Sequence, residues 1–192
     1  MPAPIPPPSA LSPEQLTQQW FERIVLGLNL CPFAHKPARE KTIRFIACDA
    51  TTESELLKKV KQETQYLETT PPSVCETTVI IVTQLLSDFY DYQFFISEAE
   101  RTLQQNNWHN DFQIASFHPD YCFAHTEPSD ASNLTNRSPY PLIHLLREAS
   151  VTTALKHVDN PEEIPKNNIE KIEGLKKEER DALFFYIRDK KL

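Results

Sequence analysis

The chain predicts an α/β fold: a small, mostly parallel sheet of three or four strands covered by helices, with extra helices at its C-terminal end. Two observations carry this. Short apolar runs at Ile43–Ala47, Thr77–Thr83 and Phe112–Phe117 read as strands. Between them lie longer segments whose apolar residues recur at the helical period, the pattern that builds βαβ crossovers and a helix-covered sheet.

Each element has a local signal. Ser12-Pro13-Glu14-Gln15 forms a capping box with proline at the first helical position, and Leu16, Trp20, Ile24 and Leu28 repeat every four residues behind it. Asn29 and Pro32 end that helix. Thr52-Glu53-Ser54-Glu55 caps a second helix that turns Leu56, Val60 and Leu67 inward and stops at Pro71-Pro72. Thr77–Thr83 is apolar on both faces, as in the middle of a parallel sheet. A third helix starts near Ser87 or Asp88 with the stripe Tyr92, Phe95, Ile96, Ala99 and Leu103. After the strand Phe112–Phe117 a long loop leads to Ser138, from which a helix is expected to run to about His157. Two further helices are expected around Pro165–Ile172, stopped by Gly174, and around Glu178–Arg188. Residues 1–11 read as a disordered proline-rich tail and 12–192 as a single α/β domain.

Composition removes several function classes. With Gly 2 in 192 residues, neither a P-loop nor a dinucleotide-binding fingerprint can be written, and no cofactor is expected. A net charge of −7 with pI near 5.4 argues against a nucleic-acid partner, which requires clustered Lys and Arg. The longest apolar runs are too short to span a membrane. Four cysteines without close pairing and no secretory signal predict a reduced, cytoplasmic setting.

Chemically equipped residues concentrate between Phe117 and Glu148. Loops that leave the carboxyl end of a strand with this much ionisable chemistry commonly line a site. Arg137 beside Ser138, the expected N-cap, would combine a guanidinium with the unpaired N–H groups of a helix start, a place that suits a carboxylate or phosphate. The alternative for Arg137 is an internal pair with Asp120 or Asp130. On the expected helix, Tyr140, His144, Arg147 and Glu148 would share one polar stripe, with His144 available for acid or base chemistry. His118 follows a strand directly and precedes Pro119, which holds it extended; it suits a general base, or a histidine bonded to loop carbonyls. Cys31 would be a nucleophile only if Pro32 opened a new helical turn; burial as a small hydrophobe is the competing reading. His118, Cys122 and His125 give H-x3-C-x2-H, which lacks the usual zinc spacing, so no metal is expected.

The strings Asn29-Leu30-Cys31-Pro32-Phe33-Ala34, Phe117-His118-Pro119-Asp120-Tyr121, Thr135-Asn136-Arg137-Ser138-Pro139-Tyr140-Pro141 and His144-Leu145-Leu146-Arg147-Glu148 resemble the bacterial family catalogued as domain of unknown function 1415 (DUF1415), from about Trp20 to about Val158. The resemblance implies no established activity. It implies that Cys31, His118, Asn136, Arg137, Ser138, His144, Arg147 and Glu148 belong to the family's own pattern, and it places His35, Cys122 and His125 at loose positions.

Together these readings lead to an enzyme acting by acid/base chemistry on a small anionic metabolite, phosphorylated or carboxylated. His118, His144 and Cys31 would be catalytic; Asn136, Arg137, Ser138, Arg147 and Glu148 would bind the substrate. The alternatives are a non-catalytic anion-binding regulatory module and an interaction scaffold using the proline-rich tail and the charged C-terminal helices.

Overall fold

The computed structural model describes residues 11–156 and 158–187. The tail expected over residues 1–11 lies, up to residue 10, outside the described residues, as do His157 and Arg188. Ser12 caps α1 (Pro13–Trp20) by the reciprocal exchange with Gln15 that its sequence predicts. The chain then widens into a π-helical turn, Phe21–Leu26, and Asn29, in the left-handed conformation at φ 49, stops it. Pro32 opens a 3-10 turn (Pro32–Ala34) that leads into α2 (His35–Glu40), which the sequence does not announce. Pro32 reads as a breaker, and it does follow the end of the first helix, yet it also sits in an opening turn, where proline is tolerated.

The strand β1 (Ile43–Cys48) precedes α3 (Glu53–Thr69), whose capping box joins Thr52 and Glu55. The strand β2 (Thr77–Val82) is buried along its whole length. Asp88 caps α4 (Phe89–Gln105), and β3 (Phe112–Phe117) follows. After the long loop with its 3-10 turn Ala131–Thr135 come β4 (Leu142–Arg147) and α5 (Glu148–Leu155). A 3-10 turn, Pro161–Glu163, then α6 (Ile164–Glu173) and α7 (Lys177–Leu183) complete the described chain.

The fold is α/β, with one four-stranded sheet in the order β1-β2-β4-β3. Only β1 and β2 are parallel; β4 runs antiparallel to both β2 and β3. The expectation of a mostly parallel sheet is therefore corrected, and the cause is local. Residues 142–147 form a strand where a helix from Ser138 was expected. Six residues apolar on both faces satisfy either period, so leucine content alone cannot arbitrate. Pro139 and Pro141 could have: each restricts the residue before it to extended backbone, which suits an entry into a strand.

Alternation along the strands divides the core between the two sheet faces. Ile80, Val82, Ile143 and Leu145 pack with Leu56, Val60, Tyr92 and Phe95 of α3 and α4. Val79, Ile81 and Leu142 pack on the other face with Trp20, Phe21, Ile24, Leu134, Ile172 and Phe184. Among the described residues, no helix is long and apolar enough to cross a membrane.

Candidate functional site

The long loop closes back on the end of β3. The His118 N–H donates to the Asn136 carbonyl at 3.2 Å, and the Ser138 N–H to the His118 carbonyl at 3.4 Å. Sequence-predicted residues His118, Asn136, Arg137 and Ser138 are thus neighbours along the backbone. Their side chains, however, serve the loop itself.

Arg137 is 1% exposed. Its Nε donates to the Tyr121 carbonyl at 3.1 Å and an Nη to the Pro128 carbonyl at 2.6 Å. Burial lowers its pKa, opposed by the charge of Asp120. Its own carbonyl accepts from the Trp20 indole at 3.0 Å and the Tyr186 hydroxyl at 3.3 Å. It begins no helix: Ser138 is buried and donates its hydroxyl to the Tyr140 carbonyl at 2.6 Å.

His118 is fully buried. Its Nδ1 accepts the Asp120 N–H at 2.9 Å, so the other nitrogen carries the proton and donates to the Leu86 carbonyl at 2.9 Å. Leu86 adopts φ 59, a conformation L-residues avoid, and the imidazole helps to fix this turn between β2 and α4. The ring also packs against Phe89 and Tyr92. Asn133, which no motif marks, is the hub of the loop. Its side-chain Oδ1 accepts from the Phe123 N–H and the Thr126 hydroxyl, both at 2.9 Å, and its side-chain NH2 donates to the Glu127 carbonyl at 2.8 Å. The one available signal is the density of Asn, Ser and Thr over residues 129–138, residues that bond their own backbone.

Because residues 142–147 are a strand, the expected polar stripe does not exist; His144 and Arg147 leave opposite faces of the sheet. His144 bonds the Thr77 hydroxyl at 2.7 Å beside Phe117. Burial pushes its pKa down to about 4. Arg147 reaches the end of α3, donating to the carbonyls of Leu67 at 2.6 Å, Thr70 at 2.7 Å and Cys75 at 3.1 Å. Glu148 opens α5, its N–H bonded to the Asp111 carbonyl. Cys31 precedes the turn that Pro32 opens. The Phe33 and Ala34 N–H groups pull its thiol pKa down, but desolvation outweighs them and the net shift is upward. The fold favours the packing role for this cysteine.

The half-buried, desolvated imidazole of His144 has a pH consequence. An unfolded histidine titrates near 6.5, so below that pH the unfolded chain takes up a proton that the native one resists. Stability is fully present above about pH 6.5 and falls progressively toward pH 4, by on the order of 3 kcal/mol at most. Urea denaturation of His144→Gln and the parent chain at pH 7.5 and pH 4.5 checks this. The gap between them should narrow at the lower pH; an unchanged gap contradicts it.

The sequence H-x3-C-x2-H does not assemble. Both His118 nitrogens face backbone groups, the Cys122 sulfur lies against Thr126, and His125 is exposed. Among the described residues, no three His, Cys, Asp or Glu side chains converge on one point.

A cleft of about 390 Å³ opens between the loop and α6. Phe123, Thr126, Ser132, Thr135 and Asn136 line it from the loop, and Ile164, Pro165, Asn168 and Ile169 from α6. Hydroxyl and amide groups alternate with apolar walls, and no charged side chain faces it. Asn136, tied to the Ser116 carbonyl at 3.3 Å, is the predicted site residue that reaches this cleft. Asn168 and Lys171 anchor α6 to the carbonyls of Leu30 and Asn29.

Over residues 12–182 the chain matches the model of the family described as "Protein of unknown function (DUF1415)", and it belongs to that family. Comparison with curated proteins and with solved structures gives no match.

Proposed function

We propose that this member of the family is a small-molecule-binding protein whose ligand enters the cleft between the 118–137 loop and α6. The observation that carries the reading is the cleft. Its volume and its mixture of apolar wall and a few hydrogen-bonding groups are those of metabolite sites. Thr126, Ser132, Thr135, Asn136 and Asn168 bring no charge, and since Thr126, Thr135, Asn136 and Asn168 already donate to internal acceptors, they present chiefly acceptor oxygens beside the Ser132 hydroxyl, which suits an uncharged ligand with a few donors and an apolar face. Acid/base catalysis on an anionic metabolite, the other reading, draws its residues from His118, His144 and Arg137. None of the three lines this cleft. The geometry therefore favours binding over turnover.

Ser132 lines the cleft, and among the described residues its side chain makes no hydrogen bond to another element. Ser132→Trp should fill the space and leave the fold intact. Ligand-observed NMR against a panel of nucleosides, sugars and carboxamides should give saturation transfer with the parent protein and none with Ser132→Trp. Equal transfer with both proteins, or none with either, contradicts the proposal.

A further inference from the structure

Helix α4 carries aromatic side chains on both of its faces, and only one face is buried. Tyr92, Phe95, Ala99 and Leu103 pack into the core beneath it. A surface helix with such an inner stripe normally turns a polar face to water. Here Tyr90 is 72% and Phe94 75% exposed, the highest values for large apolar side chains among the described residues. Single exposed apolar residues are common on soluble proteins. These two stand four residues apart, one above the other on the same helix face, and adjoining exposed aromatics mark a surface that meets a partner.

Charges frame the pair in a definite order. At 3.6 residues per turn, Tyr90, Asp91, Phe94, Ser97, Glu98 and Arg101 share the outward arc, and all six are exposed. An acid thus lies at the N-terminal end of the arc, beside the aromatic rings, and a base at the C-terminal end. Arg101 pairs with Glu98 through one Nη, and a guanidinium carries donors enough for a second carboxylate.

This order is complementary to itself. When two α4 helices pack antiparallel about a two-fold axis level with residue 96, each Arg101 lies across from Asp91 of the other copy. At a rise of 1.5 Å per residue the two Phe94 residues are then offset by about 6 Å along the axis, within the range of aromatic contact. Tyr90 falls opposite Arg101 as well, where its ring can meet the guanidinium. A parallel pairing would instead set Asp91 against Asp91 and Arg101 against Arg101.

We propose that the outer face of α4 is a self-association surface, its partner a second copy of this chain packed antiparallel on Tyr90, Phe94 and the Asp91–Arg101 charges. The interface is isologous, each contact occurring twice. A 17-residue helix is about 25 Å long, so one such face falls short of the roughly 800 Å² per partner of a standard interface. The dimer therefore belongs to the concentration-dependent, transient class. Because α4 and α6 cover opposite faces of the sheet, pairing leaves the cleft beside α6 open.

Sedimentation equilibrium of the full chain from about 10 μM to about 1 mM tests this. A monomer–dimer equilibrium is expected, and Phe94→Ser should abolish it while leaving the circular dichroism spectrum and Tm as they are. Asp91→Arg and Arg101→Asp should each weaken dimerisation by about fivefold or more, because each sets two like-charge pairs across the axis. The double variant Asp91→Arg/Arg101→Asp, with both partners exchanged, should recover most of the parent affinity. Monomer at every concentration, a dimer that survives Phe94→Ser, or a double variant no tighter than the single ones overturns the proposal.

Discussion

Arg137→Ala is expected to destabilise the protein by about 3–5 kcal/mol and to release the amide hydrogens of residues 118–137 to rapid exchange. Truncation leaves the Tyr121 and Pro128 carbonyls without their donor, removes a positive charge near Asp120 and opens space beneath a 1%-exposed side chain. Each orphaned buried acceptor costs about 1–3 kcal/mol, and the cavity adds to that. Arg137→Lys should recover little, because one ammonium cannot reproduce a fork that spans two carbonyls on different turns. Hydrogen exchange followed by mass spectrometry reads the effect directly: the loop should lose protection before the strands do.

Arg147→Ala is expected to cost about 2–4 kcal/mol by a different route. One Nη serves the carbonyls of Leu67, Thr70 and Cys75, closing the C-terminal end of α3 and the turn that feeds β2. A cation at a helix C-terminus also meets the negative end of its dipole. The guanidinium lies 5.7 Å from the centre of the Phe112 ring, so packing is lost as well. Arg147→Lys should retain about half of that stabilisation, since an ammonium also offers several donors. Guanidinium chloride denaturation of the three proteins measures it. A midpoint for Arg147→Ala equal to that of the parent would contradict the capping role.

The elements with two concordant local signals were the legible ones. Ser12 and Thr52 mark helix starts by capping boxes that the fold contains, and the Tyr92–Leu103 stripe lies in the core. The apolar runs at 43–47, 77–83 and 112–117 also read correctly as strands, and the reading failed at one place. Residues 142–147 carry apolar side chains on both faces, and treating them as helical moved the sheet from mixed to parallel and created a polar stripe that does not exist. The candidate site was legible as a place rather than as a set of roles. His118 does lie beside Asn136–Ser138, but a buried arginine or histidine can as well hold its own loop as hold a ligand, and residue type does not distinguish the two. Burial and partners do. Asn133 and Asn168 were invisible for the complementary reason: their significance comes from what surrounds them, and no spacing in the chain encodes it.

Urea denaturation of Arg137→Ala beside Ser132→Trp distinguishes an Arg137 that braces its loop from one that binds a ligand. Arg137→Ala should lose about 3–5 kcal/mol, while Ser132→Trp should unfold within about 1 kcal/mol of the parent chain. An Arg137→Ala protein as stable as its parent would show that the guanidinium holds nothing internal together.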